Sequence, residues 1–198
     1  MHTLRLHGPN DLRLHDEPRP TADRDETIVQ ITQVGICGSD LHWLHDGAIG
    51  GEALQRPFVL GHEFAGVIAE GSEAGVRVAV DPAIPCHKCE PCRTGHPNLC
   101  PNVLFCATPP VDGVFAEYTL MPAANCYPLP PGLGPIEGAM LEPLGNTEEA
   151  AYGFDAPSVN CVQACRPTKS IVLHLQMIGR GMRPKPDGGH CLMLDHAG

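Results

Sequence analysis

The sequence predicts a mainly β protein with some helix, followed by a small α/β segment at its C-terminal end. Three observations predict it. Short alternating runs of β-branched and polar residues fill the first three quarters of the chain. With 22 Gly and 21 Pro among 198 residues, tight turns are favoured over long helices. Charge divides the chain, with 8 Lys/Arg against 20 Asp/Glu up to residue 151 but 5 against 3 from residue 152 onward.

The elements follow in order. Glu26–Val34 (ETIVQITQV) alternates as a half-buried strand does. Residues 59–69 (VLGHEFAGVIA), 76–80 (VRVAV) and 114–120 (VFAEYTL) read as further strands, so that a small barrel or sandwich is expected. Residues 170–176 are compatible with a helix, followed by a turn rich in glycine and arginine, and 152–198 read as a partial strand-helix-strand unit. Being close to the roughly 40-residue limit for independent folding, that unit is expected to leave apolar surface exposed. At 42% hydrophobic residues the chain can bury a core, and no apolar run reaches the roughly 18 residues that span a bilayer. With no signal peptide in MHTLRLHGPN, a soluble cytoplasmic protein without a membrane partner is expected. A formal charge of −10 argues against nucleic acid as the main partner.

The most informative run is Cys86, Cys89, Cys92 and Cys100, spaced C-x2-C-x2-C-x7-C. One loop with that spacing can wrap a tetrahedral ion, and four thiolates form a structural zinc site. A disulfide framework or cysteines buried as small hydrophobes are the alternatives, and disulfides require an oxidising compartment. A second set is dispersed along the chain: Cys37 in GICGSDLHW, His62 in LGHEFAG and Glu142 in AMLEPLG. One thiolate, one imidazole and one carboxylate can hold zinc while leaving a position open for substrate. Glu63, beside His62, can support the site or exchange in as a ligand.

These motifs, with DGVFAEY, resemble the zinc-dependent medium-chain alcohol dehydrogenases, most closely their polyol branch of sorbitol and idonate dehydrogenases. The resemblance covers residues 1–145. It implies a GroES-like catalytic domain with a catalytic zinc at Cys37, His62 and the glutamate positions, and a structural zinc in the lobe 86–100, two ions per chain. Glu142 in place of a cysteine is what points to the polyol branch. Such a site polarises an alcohol or polyol for hydride transfer to NAD(P). The resemblance assigns proton transfer to Ser39 and His42, whereas Asp40 between them is expected to anchor the loop.

Two departures from the family stand out. The run 66–80 is shorter than in most members, which trims a hairpin. After Gly145 no G-x-G-x-x-G appears, and no complete Rossmann domain is expected in the residues that follow. The readings left open are an oxidoreductase completed by a separate nucleotide-binding subunit, and a catalytically silent zinc-binding module; a homo-oligomer is the other partner left open. Beyond a junction at 146–151, residues 152–198 resemble the fifth and sixth motifs of superfamily 2 helicases. The carriers are GFDAP and QMIGRGMR, the second matching Q-x-x-G-R-x-x-R through Gln176, Arg180 and Arg183. That resemblance implies arginines that reach an ATP γ-phosphate, but no P-loop accompanies them, so a helicase-derived ATP- or nucleic-acid-associated protein is the weakest reading.

Overall fold

The computed structural model describes residues 1–145, 161–164 and 192–195. The chain divides into two compact units, Met1–Pro143 and Leu144–Gly198. The first contains β1 (His2–Gly8), β2 (Asp11–Asp16), β3 (Glu26–Val34), α1 (Gly38–Asp46), β4 (Ala48–Ile49), β5 (Glu52–Ala53) and β6 (Phe58–Val59). It continues through β7 (Phe64–Ile68), β8 (Arg77–Val80), β9 (Ala83–Ile84), α2 (Glu90–Arg93), β10 (Leu104–Phe105), β11 (Tyr118–Pro122), β12 (Cys126–Pro128) and α3 (Pro135–Ala139). In the second unit β13 (Cys161–Ala164) and β14 (Leu192–Asp195) pair in parallel, with Cys161 opposite Leu192. The helix-compatible run 170–176 and Gln176, Arg180 and Arg183 lie outside the described residues. Among the described residues no helix is long and apolar enough to cross a membrane.

The mainly β expectation is borne out. Five strands form an antiparallel sheet in the order β11-β3-β7-β8-β12, and β2-β1-β6 form a second sheet. A bridge between Thr3 and Ala116 links the two. Val29, Phe64, Ile68 and Val78 from the larger sheet pack with Val114, Met121 and Cys106. A second cluster joins Leu6, Phe58 and Leu60 to Trp43 of α1, whose ring meets Phe58 edge-on at 5.0 Å between centroids. Each large side chain so buried contributes about 1.5–3 kcal/mol, enough to fix a nine-residue helix that carries little apolar surface of its own.

Three differences from the sequence expectation have physical reasons. β3 does not alternate, because Ile28 and Val29 are both buried. The expected single strand over 59–69 is two strands, interrupted at residues 60–63. Gly61 there has a φ of +90°, a conformation that lets the chain leave the ladder, and a Cβ would meet the Phe115 ring at 2.5 Å. The carbonyls freed by the break accept from the stretch predicted as the start of a strand at 114: Gly113 N–H donates to Val59 O at 2.7 Å, and Val114 and Phe115 N–H donate to Leu60 O at 2.9 Å. The regular strand therefore begins only at Tyr118.

The β1–β2 hairpin, not assigned from the sequence, places Leu4 opposite Leu14 and Leu6 opposite Leu12, with a charged residue in its half-buried part. The Arg5 guanidinium donates from Nε and Nη2 to both oxygens of Glu17 and from Nη1 to Asp112 at 2.9 Å. Asp112 in turn accepts the Val59 N–H at 3.2 Å, tying the hairpin to β6. Hydrogen bonding from Arg5 holds the Glu17 carboxyl below its ordinary value. A lowered folded value means that this stabilisation is full above the unfolded carboxylate range and is lost as pH falls through the folded one. Arg5→Leu is expected to cost about 2 kcal/mol at pH 7, and the deficit should shrink below about pH 4. Urea denaturation at the two pH values checks this, and a deficit independent of pH would contradict it.

Candidate metal centres and catalytic pocket

Two groups of ligand side chains gather in the first unit. In the lobe, ligand atoms of Cys86, Cys89, Cys92 and Cys100 all lie within 4.8 Å of one another. His87, at a φ of +55°, lets the chain double back between the first two cysteines. Cys89 then caps α2 and Cys92 lies within it, while a short 3-10 turn at Pro97–Leu99 delivers Cys100. Cys89 Sγ is 3.3 Å from Cys92 Sγ and 3.8 Å from Cys100 Sγ. Four sulfurs about 2.3 Å from a tetrahedral zinc would sit about 3.8 Å apart, so the set fits that ion. The same spacing is far beyond the roughly 2.05 Å of a disulfide bond.

Electrostatics point the same way. Backbone N–H groups of Lys88 and then Cys89 lower the Cys86 thiol to about 6. Desolvation, followed by hydrogen bonds with Cys89 and Cys100, pushes Cys92 up to about 12. Sulfurs this close cannot all ionise unaided; a divalent cation removes the conflict.

The second group is Cys37, His62 and Glu63, again with ligand atoms within 4.8 Å of one another. The β3–β7 register places them together. Val34 pairs with Phe64, so the residues leaving β3 run beside those entering β7, and Gly35 N–H donates to Glu63 O at 2.6 Å. Cys37 is the N-cap of α1. Asp40, buried in the first turn of that helix, accepts the Cys37 N–H at 2.8 Å on one oxygen and the Gly61 N–H at 2.9 Å on the other. One carboxylate thus clamps the thiol-bearing loop to the imidazole-bearing loop, the anchoring role expected of Asp40. His62 and Glu63 are buried, and the His62 ring tilts against Phe105 at 5.4 Å between centroids. A soft thiolate, an imidazole and a carboxylate fit zinc. Glu142 is half-buried and stands outside this trio.

A cavity of about 190 Å³ opens beside His62. Trp43, Ile49, Phe105 and Ala107 form its apolar wall, and Ser39, Glu52 and Thr108 add polar groups. The Ser39 Oγ is buried without a hydrogen-bond partner. Ser39 and Trp43 are four residues apart and so share a helix face. His42 is exposed, with Nδ1 3.3 Å from Asp46 Oδ2, and does not line the cavity. The sequence reading found Ser39 but missed the rest of the wall. Trp43 could have been found from its helical spacing to Ser39, whereas Phe105 and Thr108 reach the site only through tertiary folding.

The sequence model described as "Alcohol dehydrogenase GroES-like domain" matches residues 23–131. The Aspergillus clavatus protein named "Probable D-xylulose reductase A" is 44% identical over 147 residues, which cover 71% of this chain and 41% of that protein. The sorbitol dehydrogenase of Bacillus subtilis is 43% identical over 145 residues, covering 70% of this chain and 41% of the relative. The chain therefore spans about two fifths of the length of the curated relatives it matches. Among solved structures, L-idonate 5-dehydrogenase from Escherichia coli superposes with a TM-score of 0.75 at 25% identity, covering 98% of this chain and 62% of that one. One family model thus matches more than half of the chain, across the sheet, the cysteine lobe and the loops bearing Cys37 and His62, and the chain belongs to the alcohol dehydrogenase GroES-like domain family.

Proposed function

We propose that this chain carries the catalytic domain of a zinc-dependent polyol dehydrogenase that oxidises a secondary alcohol with NAD(P) as hydride acceptor. Two zinc ions per chain are proposed. One is held by Cys86, Cys89, Cys92 and Cys100, the other by Cys37, His62 and Glu63, with Glu142 as the further carboxylate that the sequence supplies. The substrate class rests on the names of the xylulose and sorbitol relatives.

The observation that carries the reading is the Ser39 hydroxyl. A buried hydroxyl without a partner costs free energy, and Ser39, which carries this one, lines the cavity that His62 also lines. It is placed to hydrogen-bond a substrate hydroxyl. Bound at the trio, zinc supplies Lewis acidity that lowers the pKa of an alcohol. Ser39 Oγ is assigned the uptake of the alcohol proton, and His42, exposed and bonded to Asp46 rather than to Ser39, is assigned its release to solvent. The apolar wall of Trp43, Ile49 and Phe105 keeps bulk water from competing for the reacting carbon.

The test begins with metal content. The purified chain should hold about two zinc ions, and Cys37→Ala should hold one. Cobalt substituted at the trio should change its visible spectrum on addition of sorbitol in the parent chain but not in Cys37→Ala. Ser39→Ala should keep both metals yet need about tenfold more sorbitol for the same spectral response, because a hydrogen bond to the substrate hydroxyl is lost. A chain that holds no metal, or whose cobalt spectrum ignores sorbitol, would refute the reading.

A further inference from the structure

The cavity beside His62 is closed on one side by the smallest hairpin in the domain, and that hairpin carries a carboxylate for which the reaction has no use. β4 and β5 pair with Ala48 opposite Ala53 and Ile49 opposite Glu52. Only Gly50 and Gly51 separate the last pair, with φ of +59° and +93°, the left-handed values of a tight two-residue turn. Residues directly opposite in an antiparallel pair project to the same face, so Ile49 and Glu52 must turn to the cavity together, and both line it. The pair is chemically split: Ile49 extends the apolar wall, whereas Glu52 is the one acidic residue among those that line the cavity. Glu52 is exposed, and no ion pair or hydrogen bond to its carboxylate exists among the described residues. The other polar residues that line the cavity, His62, Ser39 and Thr108, carry no carboxylate.

We propose that Glu52 is a specificity-determining residue that accepts hydrogen bonds from substrate hydroxyls remote from the reacting carbon, so that the site selects neutral polyols over both monoalcohols and anionic sugar acids. The inference rests on the polyol dehydrogenase reading and deepens it. A carboxylate rewards vicinal hydroxyls, which donate, and it repels a second carboxylate brought into the same small cavity. The chain would thereby part from its structural neighbour L-idonate 5-dehydrogenase, which is named for an acid substrate. Glu52 touches substrate but not the reacting atoms, so its effect belongs in binding rather than in the chemical step.

The experiment measures equilibrium binding of xylitol, xylonate and 1-pentanol to the full zinc-loaded chain by calorimetry, for the parent, Glu52→Gln and Glu52→Leu. Metal content serves as the check on folding, and the exposed position of Glu52 leaves the core untouched. Glu52→Leu is expected to weaken xylitol about tenfold while leaving 1-pentanol within about twofold. Glu52→Gln, which keeps an acceptor but not the charge, should hold xylitol within about threefold and strengthen xylonate at least about fivefold. Xylitol binding that ignores both substitutions, with xylonate equally unmoved, overturns the assignment of Glu52 and leaves the dehydrogenase reading standing. A parent chain that binds no xylitol with both metals loaded overturns that reading and this inference together.

Discussion

Replacing Cys100 with serine is expected to remove one zinc per chain and unfold the lobe around residues 86–100, while the trio at Cys37 keeps its metal. Apart from backbone hydrogen bonds and the β9–β10 pairing at its base, little else holds the lobe together. None of the residues of α2 or of the turn at Pro97–Leu99 is buried, and Leu99 and Leu104 are exposed. Cys100 is the one buried residue of the four ligands, and its sulfur accepts the Cys86 N–H at 3.4 Å. In a segment without an apolar core the metal takes the place of one, and structural zinc is worth about 10–16 kcal/mol in small zinc-binding peptides near neutral pH. Serine offers a poorer ligand and leaves three thiolates. The pH dependence has a definite sign. Backbone N–H groups lower the Cys86 thiol whereas desolvation raises that of Cys92, so the four sulfurs are not all ionised before the ion binds, loading it releases protons and affinity rises with pH. Mass spectrometry of the metal-loaded chain should read about two zinc ions in the parent and one in the variant, and limited proteolysis should cut within the lobe only in the variant. Two retained ions and an uncut lobe would show that the four sulfurs are not the metal site.

How much of this was legible in the sequence depended on how local the information is. The lobe was legible because all four ligands fall within fifteen consecutive residues and their spacing is itself the geometry. β3 was legible to the residue, since a nine-residue run rich in β-branched side chains has few other uses. The break in the strand at 59–69 was not, although the signal was present: Gly61 is followed by His62 and Glu63, so the apolar run stops where the glycine turns the chain at a φ of +90°. β1 and β2 were legible in principle, since Leu4-Arg5-Leu6 and Leu12-Arg13-Leu14 alternate, whereas the half-burial of Arg5 was not, because Glu17 and Asp112 neutralise it and one of them is 107 residues away. The pocket wall shows the same limit. Ser39 and Trp43 share a helical face that spacing alone defines, and Glu52 lies on the hairpin that directly follows α1, but Phe105 comes to the same cavity from β10, far along the chain.

Asp40→Asn should separate the two functions of the α1 N-terminus that the fold combines, helix capping and metal-site assembly. Both oxygens of Asp40 accept backbone N–H groups, from Cys37 and from Gly61, and the side chain is buried. Asparagine retains one acceptor, but its amide N–H₂ must face the other N–H. A buried donor is then left opposite a donor, at a cost of about 2–3 kcal/mol. That cost falls where it matters, because the two N–H groups belong to the residue that bears the thiolate and the residue just before His62. Releasing either loop lets Cys37 and His62 move apart, so zinc affinity at the trio should fall roughly 10–100-fold, the range typical when a group that orients metal ligands is lost. The lobe shares no hydrogen bond with Asp40, and its affinity should not change. Competition with a chromophoric chelator resolves the two sites as separate phases: the weaker phase should shift alone in Asp40→Asn, and further still in Asp40→Ala, which leaves both donors unpaired. Loss of global stability with both zinc affinities unchanged would reduce Asp40 to a helix cap. A shift confined to the trio would show that the clamp between the two loops is what assembles the site.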